Sequence, residues 1–477
     1  MKDKFRLNIP RLHILSEDKL ELIHLSTLEV LRRTGLAVKE PRALEIFKKG
    51  GCLVEGERVK IPAALAEWAL KNDPPRVPLS DRNGRPAMFL EDNNVYFGTG
   101  SDTPNVVDPY SHERRLAVLK DIENVAKTVD ALGEMNFMMC AGIASDVNPK
   151  ISDLYHFEAM VKFTEKPIIF TAWSLENLKA IIRMAELVAG GEEQLRMNPF
   201  LALYTEPISP LQLAEESTQK LMYMAHKSLP VVFTPGMITG ATSPVTMAGS
   251  LVQANAEMLA GHVLANLIRK GMPFVYGGGM LPIDMATGLM PYVSPEGMLT
   301  SSVLTDMARY YRLPTFSFAG CSDSNLFDQQ ATLEGTMWTL MASLSGANLV
   351  HDVGYINNGL TTSFEQLVSS NEVIGMVRRI MGGVEVNEET LALDLIHEVG
   401  PGGEYLSSSH TLKHFKENWY PKLISRMPYE KWEKEGKKDF GTRVNERVRN
   451  ILETHAPKPL EKDLAKELRK IVKSMDK

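Results

Sequence analysis

A chain of 477 residues with 44% hydrophobic side chains has room for two or three domains, or for one large barrel with extensions. Lys and Arg number 53 against 59 Asp and Glu, a near balance that argues against a nucleic-acid partner, since phosphates need a basic face. Three widely spaced cysteines (Cys52, Cys140, Cys321) speak for a reducing compartment, and no apolar stretch has signal-peptide or membrane-span length, so a soluble cytoplasmic protein without a membrane partner is the expectation.

In chain order, residues 1–93 read as a helical and loop-rich extension. A helix that Ser16 can cap ends at Gly35, another follows Pro41, and "NDPPRVPLSDRNGRPAM" from Asn72 is rich in turn formers. From Asn94 a short apolar run, a polar or Gly-rich break and an amphipathic stretch alternate, as parallel βα units require. The runs begin near Val95, Phe137, Pro167, Phe200, Pro230, Pro273, Pro314 and Ala347, eight in all, the number that closes a (β/α)8 TIM barrel. Ser174 is placed to cap a helix that Gly190 stops, and Leu119, Ile122, Val125, Val129 and Leu132 form one helical stripe before Gly133. The barrel is expected over residues 94–383, with a C-terminal helical extension over 384–477.

Chemistry in such barrels sits where the strands end. Those ends carry aromatic rings and carboxylates and no Lys or Arg, a composition that suits a cation, because ring faces attract a quaternary ammonium and a carboxylate adds longer-range attraction. Each aromatic taken singly could equally fill the core. A Schiff-base enzyme would need a strand-end Lys, and a metallohydrolase a cluster of His, where only His351 is found. Cys140, Cys321 and His351 leave a zinc site open as an alternative, and the glycines Gly277 to Gly279 either cradle an anion or allow close backbone approach.

The segments "TPGMITGATSPVTMAGSLVQANAEMLAG", "GCSDSNLFDQQATLEGTMWTLMASLSGANLVHDVGY" and "EVGPGGEYLSSSHTLKHFKENWYPKL" resemble the trimethylamine methyltransferase family, and the resemblance runs from the "HLSTLEVLRRTGLAV" helix to Leu423. Founding members carry pyrrolysine, whereas every position here is one of the twenty common residues, as in the branch whose members use glycine betaine, proline betaine or carnitine. The resemblance implies transfer of a methyl group from a quaternary amine, glycine betaine first, to the Co(I) of a separate corrinoid protein, with dimethylglycine released. No Asp-x-His-x-x-Gly motif is present to hold a cobalamin in this chain, so the corrinoid is expected on a partner that docks at the barrel mouth.

A quaternary ammonium already carries a neutral tertiary amine as its leaving group, so no acid or base is assigned and the work is positioning in a dry cage. From strand-end position the cage candidates are Phe97, Trp173, Tyr204, Phe233 and Tyr276, with Glu206 or Asp323 as the anion. For the carboxylate of a betaine the candidates are His351 and the amides around Gly278 and Gly279, then Asn348 and Asn357. Two other functions stay open: a zinc-dependent corrinoid methyltransferase acting on a thiol or methanol, and a quaternary ammonium binding protein without turnover. A homo-oligomer is compatible with the composition.

Overall fold

The eight apolar runs become eight parallel strands in the computed structural model, which describes residues 10–476. They are β1 Tyr96–Gly98, β2 Met135–Phe137, β3 Ile168–Phe170, β4 Leu201–Thr205, β5 Val231–Phe233, β6 Phe274–Gly277, β7 Thr315–Phe318 and β8 Leu349–His351. Pairing runs from β3 through β8 to β1 and β2, and a parallel bridge between Met138 and Ile168 closes the ring. Each strand leads into a helix: α1 Leu119–Ala131, α2 Ser152–Phe163, α3 Leu175–Ala189, α4 Glu215–Lys227, α5 Met247–Ile268, α6 Pro295–Tyr311, α7 Gln329–Ser345 and α8 Phe364–Met381. The cap of α3 is the one its sequence announces, with Ser174 Oγ accepting from the Asn177 amide at 3.1 Å and Gly190 turning left-handed at φ 86°. Ser16 does not cap in this way. Its hydroxyl donates to Asp18, and the helix Glu17–Glu29 runs into a wider turn, Val30–Thr34, before Gly35.

Strand alternation sends every second side chain inward. Ile169, Ala202, Val232, Val275, Phe316 and Leu349 fill the barrel axis, where they meet Val77, Leu79, Met88 and Leu90 from an antiparallel hairpin, Val77–Ser80 with Pro86–Leu90. The hairpin is tied to the end where strands begin: the Ser80 amide donates to Pro199 O and the Arg82 amide to Glu165 O. It closes that end of the barrel. Three short strands, Leu36–Val38, Leu53–Glu55 and Arg58–Lys60, form a small sheet that adds Gln212–Leu213 from the loop after β4. In the C-terminal extension, helix Phe440–Thr454 packs on α8 and α1, and helix Lys462–Met475 on α3 and α2. No helix among the described residues is long and apolar enough to cross a membrane.

The outward side chains pack under the helices so tightly that one glycine has a steric duty. A Cβ on Gly261, in the middle of α5, would stand 2.4 Å from the Phe233 ring. Gly to Ala in a helix normally gains about 1 kcal/mol. Here overpacking costs about 1 to 3 kcal/mol, so Gly261→Ala is expected to lower the denaturant midpoint rather than raise it.

Candidate functional site

At the carboxyl ends of β3 and β4 lies a cavity of about 370 Å³ lined by Asp102, Thr171, Trp173, Tyr204, Glu206 and Lys220, among others. Beside it lies an aromatic floor. The His351 imidazole stacks on Phe316 at 4.1 Å between ring centroids, with Phe318 at 4.7 Å and Tyr204 at 6.1 Å. Tyr292 reaches over from the loop after β6, packing edge-on against Phe318 and donating its hydroxyl to Asp352 Oδ2. Asp323 holds that loop in place by accepting from the amides of Tyr292 at 2.8 Å and Val293 at 3.0 Å.

Three carboxylates converge on this mouth. Glu206 accepts from the Tyr204 hydroxyl, Asp102 lies 3.4 Å from Thr171 Oγ1 and 3.7 Å from Cys140 Sγ, and Asp352 sits beside Tyr292 and His351. Both Asp102 (φ 63°) and Asp352 (φ 70°) hold left-handed backbone conformations, uncommon for a residue with a Cβ and recurrent where function fixes the geometry. Withdrawal from bulk water pushes the Glu206 carboxyl up to about 6, the charges of Asp102 and Asp352 push the same way, and the Tyr204 hydrogen bond opposes them. Asp102 opens onto the cavity, yet the protein around it raises its carboxyl by the same loss of hydration. Burial also lifts the Tyr204, Tyr292 and Tyr355 phenols well above their ordinary value, so all three are neutral donors.

His351 is 5% exposed, and neither ring nitrogen makes a hydrogen bond, although Nδ1 stands 2.7 Å from Asp352 Oδ1. An ammonium group reaches the mouth from α4. Lys220 Nζ donates to Ala172 O at 2.6 Å, and burial lowers its pKa while Glu216, Asp153 and Asp102 oppose the shift. The expectation of a mouth without Lys therefore fails, because strand-end reading does not see a long side chain arriving from the next helix.

Of the predicted cage, Tyr204 and Trp173 line the cavity, and Glu206 stands with them. Trp173 is a rim residue, 53% exposed, with its indole N–H on Ser152 Oγ. Phe97, Phe233 and Tyr276 have the opposite strand parity and face the helices. The Arg378 guanidinium lies over Phe97, Phe233 presses on Gly261, and the Tyr276 hydroxyl donates to Asn255 Oδ1 at 3.0 Å. The amides around Gly278 and Gly279 do not form a free cradle: Gly277 N points at Met258 Sδ, Gly278 N donates to Phe316 O at 2.7 Å, and Gly279 enters a ladder with Gly236. A Cβ on Gly278 would lie 2.0 Å from Thr234 Oγ1, so close backbone approach accounts for the run. Asn348 donates to Glu91 O and Asn94 O, where the strands begin, and Asn357 bonds Asn325 in an exposed loop. Among the described residues no group of three or more His, Cys, Asp or Glu side chains is arranged to hold a metal, and Cys140, Cys321 and His351 form no such group. Burial raises the Cys140 thiol to about 12 and the Cys321 thiol well above its usual value. Asp102, Asp352, Tyr292 and Phe318 are the mouth residues the candidate set lacked.

The family model described as trimethylamine methyltransferase (MTTB) matches residues 2–476. Trimethylamine methyltransferase MttB of Desulfitobacterium hafniense (strain DCB-2) is 35% identical over 97% of this chain and 93% of its own length. Glycine betaine methyltransferase of Desulfitobacterium hafniense (strain Y51) is 31% identical over 97% of each chain, and MttB of Methanosarcina barkeri (strain Fusaro) is 33% identical over 99% of this chain and 97% of its own. The solved monomethylamine methyltransferase MtmB of Methanosarcina barkeri aligns with a TM-score of 0.48 at 13% identity, covering 92% of this chain and 93% of that one. With a match along nearly its whole length and a mouth built of rings and carboxylates, the chain belongs to the trimethylamine methyltransferase family, and it carries none but the common amino acids.

Proposed function

We propose that this protein is a cytoplasmic methyltransferase that moves a methyl group from a quaternary amine, glycine betaine first, to the Co(I) of a separate corrinoid protein and releases the tertiary amine. The observation that carries the reading is the convergence of Asp102, Glu206 and Asp352 on one aromatic mouth. Three carboxylates partly stripped of water share one cation among the residues lining the cavity, Lys220, and a quaternary ammonium supplies further counter-charge while its methyl groups lie against Tyr204 and its neighbours. A cavity of about 370 Å³ takes a small amine and not a macrocycle, so the corrinoid fits over the opening. Exposed apolar side chains on successive mouth loops, including Trp173, Ile208, Val245, Met285 and Leu326, suit a partner that docks there.

Co(I) supplies the nucleophile. This chain's residues bind and orient: Glu206 and Asp102 face the cationic head, Tyr204 fixes Glu206, and Asp323 holds the Tyr292 loop over the site. Positive charge on the nitrogen disperses as the C–N bond breaks, so a modest grip on the ground state serves turnover better than a tight one. Nε2 of His351, which has no partner while Nδ1 faces Asp352 Oδ1, is assigned to the betaine carboxylate. Unpaired cysteines support the reducing compartment.

The test is purified protein with chemically reduced cob(I)alamin and a panel of glycine betaine, proline betaine, carnitine, choline, trimethylamine and methanol, following Co(I) absorption and released amine. Turnover of a quaternary amine is expected; betaine binding without product, with the native corrinoid protein present, would leave a binding protein instead. His351→Ala is expected to weaken glycine betaine about 10- to 150-fold more than choline, as loss of a hydrogen bond to a charged group of about 1.5 to 3 kcal/mol implies. Equal losses would remove His351 from that role, and a selective loss in Lys220→Met would transfer it to Lys220.

A further inference from the structure

The peptide group that joins Ala172 to Trp173, in the loop after β3, is gripped at both ends by charged side chains. Its N–H donates to Asp153 Oδ2 at 2.8 Å, and its carbonyl accepts from Lys220 Nζ at 2.6 Å. Asp153 comes from the first turn of α2 and Lys220 from α4, so two helices meet on one peptide. Asp153 is buried, and its other partners are the Asn177 side-chain amide at 2.8 Å and the Leu154 amide at 3.0 Å. The indole is held as well: its N–H donates to Ser152 Oγ at 3.1 Å, and Ser152 is itself buried.

Fold stability does not call for this arrangement. Water satisfies the peptide groups of a surface loop, and withdrawing a carboxylate from water is costly before its hydrogen bonds offset the loss. What the arrangement gives is direction. A half-exposed tryptophan ordinarily hops between rotamers within nanoseconds, whereas here backbone and ring are both fixed, with the peptide dipole lying between an anion and a cation. The ring so held lines the cavity beside Tyr204 and Glu206. A cation gains about 0.5 to 2 kcal/mol from a ring face, and ordering a free side chain on binding would consume about 0.5 to 1.5 kcal/mol of that gain. Fixing the ring in advance preserves it. On the reading of the mouth as a quaternary amine site, we propose that Asp153 and Lys220 are positioning residues that preset Trp173 as a fixed wall of that site. Both act through the one peptide group they share.

Fluorine NMR of the full-length protein labelled with fluorotryptophan tests this, the resonance of residue 173 being the one of five that Trp173→Phe removes. In the unmodified protein that resonance is expected away from the position of free fluorotryptophan, and it should shift on titration with choline or glycine betaine. In Asp153→Ala and in Lys220→Met it is expected at the free position, and Asp153→Ala should bind both ligands about 10-fold more weakly. Asp153→Asn, which removes the charge but keeps an acceptor for the Trp173 amide, should restore most of that affinity. Adding Asp153→Ala to Trp173→Leu should weaken binding no further than Trp173→Leu alone. A resonance unmoved in either variant, losses that add in the double variant, or an Asp153→Asn variant as weak as Asp153→Ala overturns the inference. If Asp153→Ala does not fold, the resonance in Lys220→Met decides. A resonance that neither ligand shifts in the unmodified protein counts against the amine reading instead, and its response to Asp153→Ala still decides the positioning.

Discussion

Replacing Glu206 with Gln is expected to lower kcat/KM for glycine betaine by about 10- to 100-fold, with the loss in binding larger than the loss in kcat. The substitution keeps shape and hydrogen-bonding capacity and removes a charge that lies beside Tyr204 and within the field of Asp102 and Asp352. Two orders of magnitude correspond to about 2.7 kcal/mol, within reach of one partly desolvated ion contact. The acid limb of the pH profile gives a second readout. Loss of hydration raises the Glu206 carboxyl to about 6, so the charged form that faces a cation is present above that pH and is lost as pH falls through it. The parameter kcat/KM reports groups of the free enzyme, so it should fall on acidification through about pH 6 in the unmodified protein. In Glu206→Gln that limb should flatten. An unaltered limb would remove Glu206 from cation binding.

Gly100→Ala is expected to abolish most activity, about 100-fold or more, while costing about 1 to 3 kcal/mol of stability. A Cβ there would stand 2.1 Å from Asp352 Oδ1 and 2.4 Å from the Tyr355 ring. Neither neighbour is free to step back: Asp352 is held by the Tyr292 hydroxyl, and the Tyr355 hydroxyl donates to Ser101 O. One methyl group therefore displaces a carboxylate and two rings of the mouth together. Parallel measurement of turnover and chemical denaturation checks it, and a variant that keeps wild-type kcat/KM would show that Asp352 has no part in the site.

Strand number was legible because four apolar runs open on Pro and most of the eight give way to small or polar residues, signals of local chemistry that tertiary contacts do not override. The mouth was legible only in part. Tyr204, Glu206 and His351 are inward by strand parity, whereas Phe97, Phe233 and Tyr276 sit one register out of phase and fill the helical layer. Their aromatic character gave no hint of direction, since a ring suits either face. Asp102 and Asp352 hide in "GTGSD" and "HDVG", where the decisive property is a left-handed backbone and not a residue type. Lys220 and Tyr292 come from a helix and a long loop, so their arrival depends on packing that no linear pattern records.

The hairpin Val77–Leu90 makes the barrel a vessel with one door. On the proposed reading that fixes the sequence of events. An amine cannot slip in from below once a corrinoid protein covers the opening, and the demethylated product cannot drain away beneath it. Substrate enters an uncovered barrel, the partner arrives second and departs first, and each turnover needs a full cycle of docking and release.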